Sequence, residues 1–139
     1  MCLFTREIEP KIAQEDIHVY KVVLVKDGKY YGPYQEKPLM ETPEGGLVYM
    51  DSNEYYYKRW KIYDLNESKY CIEGGVIHAC TTKGMAEFLI IDLWRNNEDA
   101  NYEIIDGVIP KGTEYWESYM SPEIAAKKIK FDKKYLNKE

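Results

Sequence analysis

The stretch that most restricts the fold is His18-Val19-Tyr20-Lys21-Val22-Val23-Leu24-Val25, followed shortly by Asp27-Gly28. β-Branched side chains lose rotamer freedom in a helix but pack well on a pleated surface, so the run predicts a buried strand. Gly tolerates the positive φ that a two-residue hairpin turn demands, so Asp27-Gly28 predicts such a turn. Lys29-Tyr30-Tyr31 then forms the return strand, and Gly32-Pro33 ends it.

Other segments carry the same strand signature. Leu47-Val48-Tyr49-Met50 is a short strand candidate, and Glu54 to Leu65 alternates tyrosines with charges around Trp60 and Ile62, as a half-exposed strand or hairpin would. Gly74-Gly75 precedes Val76-Ile77-His78-Ala79-Cys80, a strand whose small residues suit a tightly packed central place. Pro38, Pro43, Gly45 and Gly46 mark residues 36–46 as a surface loop. Pro10 discourages an early helix, so the chain through Gln14 is expected to be irregular.

The clearest helix comes next. Thr81 or Thr82 can cap its first free amides, and Met85, Phe88, Leu89 and Leu93 fall at i, i+3, i+4 and i+8 as one apolar face. Asn96-Asn97 ends it. Tyr102 to Ile105 and Val108-Ile109 form a strand interrupted or bulged at Asp106-Gly107, and Pro110-Lys111-Gly112 makes a turn. Ser121-Pro122-Glu123 reads as a helix start with Pro at the first position, giving a short helix over Ile124 to Lys128. Ile129-Lys130-Phe131 returns as a final strand. The expected fold is one α+β domain over residues 1–139: a small, mainly antiparallel sheet, one principal helix at about residues 82–97, and a short C-terminal helix.

Composition excludes several classes. A chain of 139 residues, 45% hydrophobic and 31% charged, suits one core. No run approaches the roughly 20 apolar residues that span a bilayer, and Phe88 to Ile91 stops at Asp92. Met1 to Glu7 lacks the basic region and apolar core of a signal peptide, and position 2 is not the Gly of a myristoylation site. Cys2, Cys71 and Cys80 are an odd count without CxxC spacing, which supports neither a disulfide framework nor a thiolate zinc site. A reduced, cytoplasmic protein is the expectation. The net charge of −5 divides into +3 on residues 120–139 and −8 on the remainder. An acidic body disfavours broad nucleic-acid binding; the basic C-terminus could touch phosphate, or be a solvated helix end or tail.

Few residues suggest chemistry. His18 and His78 are the only histidines, too few for a His-rich metal site. His78, on a central strand, is either a hydrogen-bonded core histidine or a group that contacts a ligand. Cys80 shares its strand face, but i, i+2 side chains are usually too far apart for a Cys–His nucleophilic pair. No Walker loop, GxGxxG or HExxH occurs. Tyrosine stands out: 14 in all, nine of them between residues 30 and 70. Tyr joins stacking area to a polar hydroxyl at low entropic cost, which suits a protein partner or a stacked nucleobase. It equally suits the core and rim of a small sheet. Tyr30, Tyr31, Tyr34, Tyr55, Tyr57, His78 and Lys111 are therefore the candidate partner- or ligand-contacting residues.

Three stretches resemble a group of small uncharacterised proteins from phages and gut Bacteroidetes-type bacteria. They are Glu9 to Ala13 with Asp16 to Val22, Gly75 to Ala79, and Ile109 to Tyr115. Val76-Ile77 departs from that pattern, which has one aromatic between glycine and histidine. The resemblance implies a small intracellular domain and supplies no catalytic residue. A second likeness is to ADP-ribosyltransferases, through Lys21, the Thr81-Thr82 pair, Glu103 and Pro110-Lys111-Gly112-Thr113. It implies NAD as cosubstrate, with Glu103 as the carboxylate that stabilises an oxocarbenium-like transition state. Lys stands where that family has the bidentate Arg, no Ser-Thr-Ser run is present, and Glu103 lies seven residues before Pro110.

The leading expectation is a non-enzymatic, phage-encoded binding protein without cofactor, directed at a host defence protein or a nucleotide-like signal. The alternatives are an NAD-using ADP-ribosyltransferase-like enzyme, and a structural homo-oligomer held by exposed aromatics.

Overall fold

The computed structural model of the chain describes residues 3–7, 9–33, 39–41, 47–49, 58–61, 70–73, 76–132 and 135. In chain order the elements are β1 (Leu3–Thr5), β2 (Lys11–Ile12), β3 (Ile17–Lys26), β4 (Lys29–Tyr31), β5 (Leu39–Glu41), β6 (Leu47–Tyr49) and β7 (Lys58–Lys61). They continue with β8 (Tyr70–Glu73), β9 (Ile77–Cys80), α1 (Lys83–Asn96), β10 (Asn101–Ile109), β11 (Glu114–Glu117), β12 (Glu123–Ala126) and β13 (Lys130–Phe131).

The β-branched run becomes the spine of the main sheet. β3 pairs with β10 in an unbroken antiparallel register from Val25 opposite Asn101 to Ile17 opposite Ile109. The sheet runs β13-β10-β3-β9-β12-β11-β2, with β4 also paired to β3. Asp27 and Gly28 both take positive φ, 50° and 75°, as the predicted hairpin turn requires. β1, β8 and β7 form a second sheet, and β5 and β6 a two-stranded ribbon. Every pairing among the described strands is antiparallel.

Alternation along β3 sends side chains to two cores. Val19 and Val23 join Ile77, Ile105, Ile109 and Ile124 on one face. Val22 and Leu24 join Cys80 and Tyr102 on the other, beneath Ala86 and Leu93 of α1. A third cluster, Leu3 with Val76, Trp116 and Ala125, packs β1 against the main sheet, and the Tyr119 amide donates to the Phe4 carbonyl at 3.1 Å. Thr82 caps α1 by accepting from the Met85 amide, and Asn97 closes its other end.

Four expectations need correction. The stretch through Gln14 is not irregular: it contributes β1 and β2, short strands that long-range partners define. Within residues 36–46, Leu39–Glu41 is a strand paired with β6. There is no bulge at Asp106-Gly107, because Gly107 sits in register opposite Phe131 and leaves room for its ring. Residues 124–128 do not form the predicted helix. Glu123–Ala126 is a strand between β9 and β11, and its buried Ile124-Ala125-Ala126 run has no periodicity to separate it from a buried helix.

The inward face of α1 also differs from the predicted one. Ala86 and Leu93 are buried, with Met85, Leu89 and Ile90 packed beside them, whereas Phe88 points outward. Ala86 lets the helix lie close to the sheet, and a Phe at that contact would hold it away. Of the predicted strand over Glu54 to Leu65, Lys58–Lys61 is observed, and the flanking residues lie outside the described ones.

Candidate functional site

Two places concentrate chemistry or exposed apolar surface: the centre of β9 and the outer face of α1. At the first, β3 and β9 share one register pair, Tyr20 with Cys80. Next to it, Lys21 is 3% exposed and its Nζ donates to the His78 carbonyl at 2.8 Å. His78 itself faces the same side as Cys80 and its register partner Ala125, at the seam between the α1-side core and the Leu3–Trp116 cluster.

Burial holds His78 and Cys80 in this cluster in their neutral forms. Burial, with the Lys21 charge nearby, pushes the His78 pKa down to about 3. Burial, with the Glu123 carboxyl next in effect, pushes the Cys80 thiol up to about 12 despite Lys21. Burial also raises Glu123, against a lowering hydrogen bond from Ser121. A cysteine nucleophile needs the opposite shift, because the thiolate is the reactive form. His78 and Cys80 therefore stand as a neutral imidazole and a thiol, not as an activated pair.

His78 departs from the core histidine expected in one respect. Both ring nitrogens are buried and neither makes a hydrogen bond. A neutral imidazole has one donor and one acceptor, and each left unsatisfied costs about 1–3 kcal/mol. Nothing in the sequence signals this, since hydrogen bonding depends on which long-range neighbours surround the ring.

The other candidate residues are dispersed. Tyr30 packs against the first core with its ring edge-on to Tyr135, centroids 5.3 Å apart, and Tyr31 packs against the α1-side core. Both are half-buried and serve the sheet, whatever else their outer edges contact. Tyr34, Tyr55 and Tyr57 lie outside the described residues. Lys111 is exposed in the turn after β10; its amide donates to the Asp16 carboxylate at 2.9 Å, the Gly112 amide donates to the Ala13 carbonyl, and the Ala13 amide donates to the Thr113 carbonyl.

The residues of the ADP-ribosyltransferase likeness are not brought together. Glu103 is exposed opposite Val23, six residues and about 20 Å along the extended strand from Ile109, where β10 ends before the Lys111 turn. Lys21 lies diagonal to Glu103 across β3 and β10, but its ammonium turns the other way, to β9. The Thr82 hydroxyl is engaged as the α1 cap. Among the described residues no group of three or more His, Cys, Asp or Glu could hold a metal ion, and no helix is long and apolar enough to cross a membrane.

The outer face of α1 was not foreseen as a surface. Phe88 is 60% exposed, Ile91 52% and Trp94 45%. At about 3.6 residues per turn these three share one side, together with Gly84, Glu87 and Arg95. The Trp94 indole donates to the Ala100 carbonyl at 3.0 Å, which fixes its ring while leaving a face to solvent. The signal in the sequence was a helix apolar on more than one side, Phe88, Leu89, Ile90 and Ile91 in succession, which exceeds what one buried stripe needs.

With that geometry in view, no family model, curated protein or solved structure matches the chain.

Proposed function

We propose that the protein is a non-enzymatic binding protein that works by docking another macromolecule, as a phage-encoded factor directed at a bacterial host protein. The observation that supports the docking reading is the outer face of α1, where three large apolar side chains stand exposed on one helix side with a charge at each end. Exposed apolar residues scattered singly are ordinary, but a contiguous rigid stripe is characteristic of interaction surfaces. The phage origin and host target rest on the sequence resemblance alone. A protein target fits the α1 face better than a nucleotide, which would need concave walls and convergent polar groups around a base and phosphates.

Affinity capture from a Bacteroidetes-type lysate tests this reading, with Ile91→Glu beside the wild type. One host protein retained by the wild type and lost with the variant is the expected result. Capture that is identical for both, or a nucleotide that raises the melting temperature at millimolar concentration, would overturn it.

A further inference from the structure

We propose that the outer face of α1 is closed by the same face of a second copy of this chain, the two helices running antiparallel about a two-fold axis level with Ile91. This rests on the reading of the outer face of α1 as a protein-docking surface, and assigns that face to a second copy where no host protein occupies it.

The register follows from the helix itself. About such an axis, a residue a given number of places before Ile91 lies level with the second copy's residue the same number of places after it. Ile91 meets Ile91, and Phe88 lies level with Trp94. Glu87, one turn before, lies level with Arg95, one turn after, and the pairing occurs twice by symmetry. Both charges are exposed, and neither forms an ion pair with a described residue of its own chain. An apolar centre with opposite charges at both ends is self-complementary only in the antiparallel sense. A parallel pairing would set Glu87 beside Glu87 and Arg95 beside Arg95.

Gly84 carries the second, independent observation. It lies in the first turn of α1, where a Cβ would meet nothing within 4 Å, and its φ is not positive. Its own fold therefore gives no reason for a residue that weakens helices. In the antiparallel register Gly84 lies level with the second copy's residue 98, just past Asn97, where that chain leaves its helix. A bare backbone at Gly84 admits this turn, and a side chain would obstruct it. The Trp94 ring, already held by the Ala100 carbonyl, loses little freedom on docking.

Sedimentation velocity across a concentration series tests the proposal. One helix face is smaller than the ~800 Å² per partner of a standard interface, so a concentration-dependent monomer–dimer equilibrium is expected. Glu87→Arg and Arg95→Glu should each weaken the dimer about tenfold, because each places like charges level with one another twice. An equimolar mixture of the two variants should restore it as a heterodimer, and so should the double variant with itself. Gly84→Gln should dissociate the dimer while leaving the melting temperature of the monomer unlowered. A wild type that stays monomeric up to millimolar concentration would overturn the proposal, as would charge variants that do not rescue each other. A monomeric wild type whose capture of a host protein still depends on Ile91 would remove the second copy and leave the docking reading intact. A rescued dimer that captures nothing would do the reverse.

Discussion

Gly107 faces Phe131 so closely that a Cβ at the glycine would come within 2.6 Å of the ring's Cε1 atom and 2.9 Å of Ile129. The glycine is what lets β13 close the edge of the sheet over β10, with Gly107 opposite Phe131 in the ladder. Gly107→Ala should therefore destabilise, against the usual gain from adding a methyl to a strand glycine. Overpacking of this kind costs about 1–3 kcal/mol. Urea denaturation would register it, and Gly107→Ala combined with Phe131→Leu should recover part of the loss.

The Thr82 hydroxyl accepts from the Met85 amide at 3.2 Å, and no acidic residue in the first turn assists it. Thr82→Ala should cost about 1 kcal/mol, and Thr82→Ser or Thr82→Asp much less. The comparison by thermal melting separates the cap from any packing of the threonine methyl.

How far these elements were legible depended on where their information lies. The β3–β4 hairpin, β9, α1 with its Thr82 cap and the β10 strand were readable because periodicity, turn chemistry and capping are local. β2, β11 and β12 were not: two to four residues long, they exist as strands because Lys11, Tyr115 and Ala126 are held in register by distant partners. Ser121-Pro122-Glu123 satisfied the local rule for a helix start, and tertiary pairing overrode it. The functional candidates fared similarly. Tyr30 and Tyr31 were identified by type, yet type alone does not say that each seals a core. The neutral state of His78 comes from burial that no sequence window reports.

His78 leads to a substitution that should stabilise. Its ring nitrogens are buried without hydrogen bonds, so replacing the imidazole by a hydrocarbon of similar size removes unsatisfied polar groups. His78→Leu should raise stability by about 1–3 kcal/mol, or a melting temperature gain of a few degrees for a chain of this length. A loss of stability on His78→Leu would show that the ring has polar partners in solution, and His78→Gln would then be the milder change.

The same histidine sets the response to acid, and the direction follows from proton binding. Unfolded, His78 takes up a proton near pH 6.5; folded, it resists until about pH 3. Between those values the unfolded chain binds one more proton, so stability is complete above pH 6.5 and falls as the pH drops towards 3. The slope approaches about 1.4 kcal/mol per pH unit. Glu123 acts in the opposite sense, since its raised pKa means its contribution is present below the ordinary carboxylate value of 4.5 and lost above it. Glu123 therefore offsets part of the His78 loss just above pH 4.5, and the net acid loss from these two groups should be steepest between pH 4.5 and 3. Cys80 governs the alkaline side: with the thiol at about 12 instead of 9.0, stability is complete below pH 9 and falls as the pH rises towards 12. Urea unfolding at pH 7.0 and 4.5 should show the wild type losing on the order of 2–3 kcal/mol more than His78→Leu. Unfolding at pH 7.0 and 10.5 should show the wild type losing more than Cys80→Ala. Equal losses in wild type and variant on either side would mean that the corresponding ring or thiol is reached by water in the folded state.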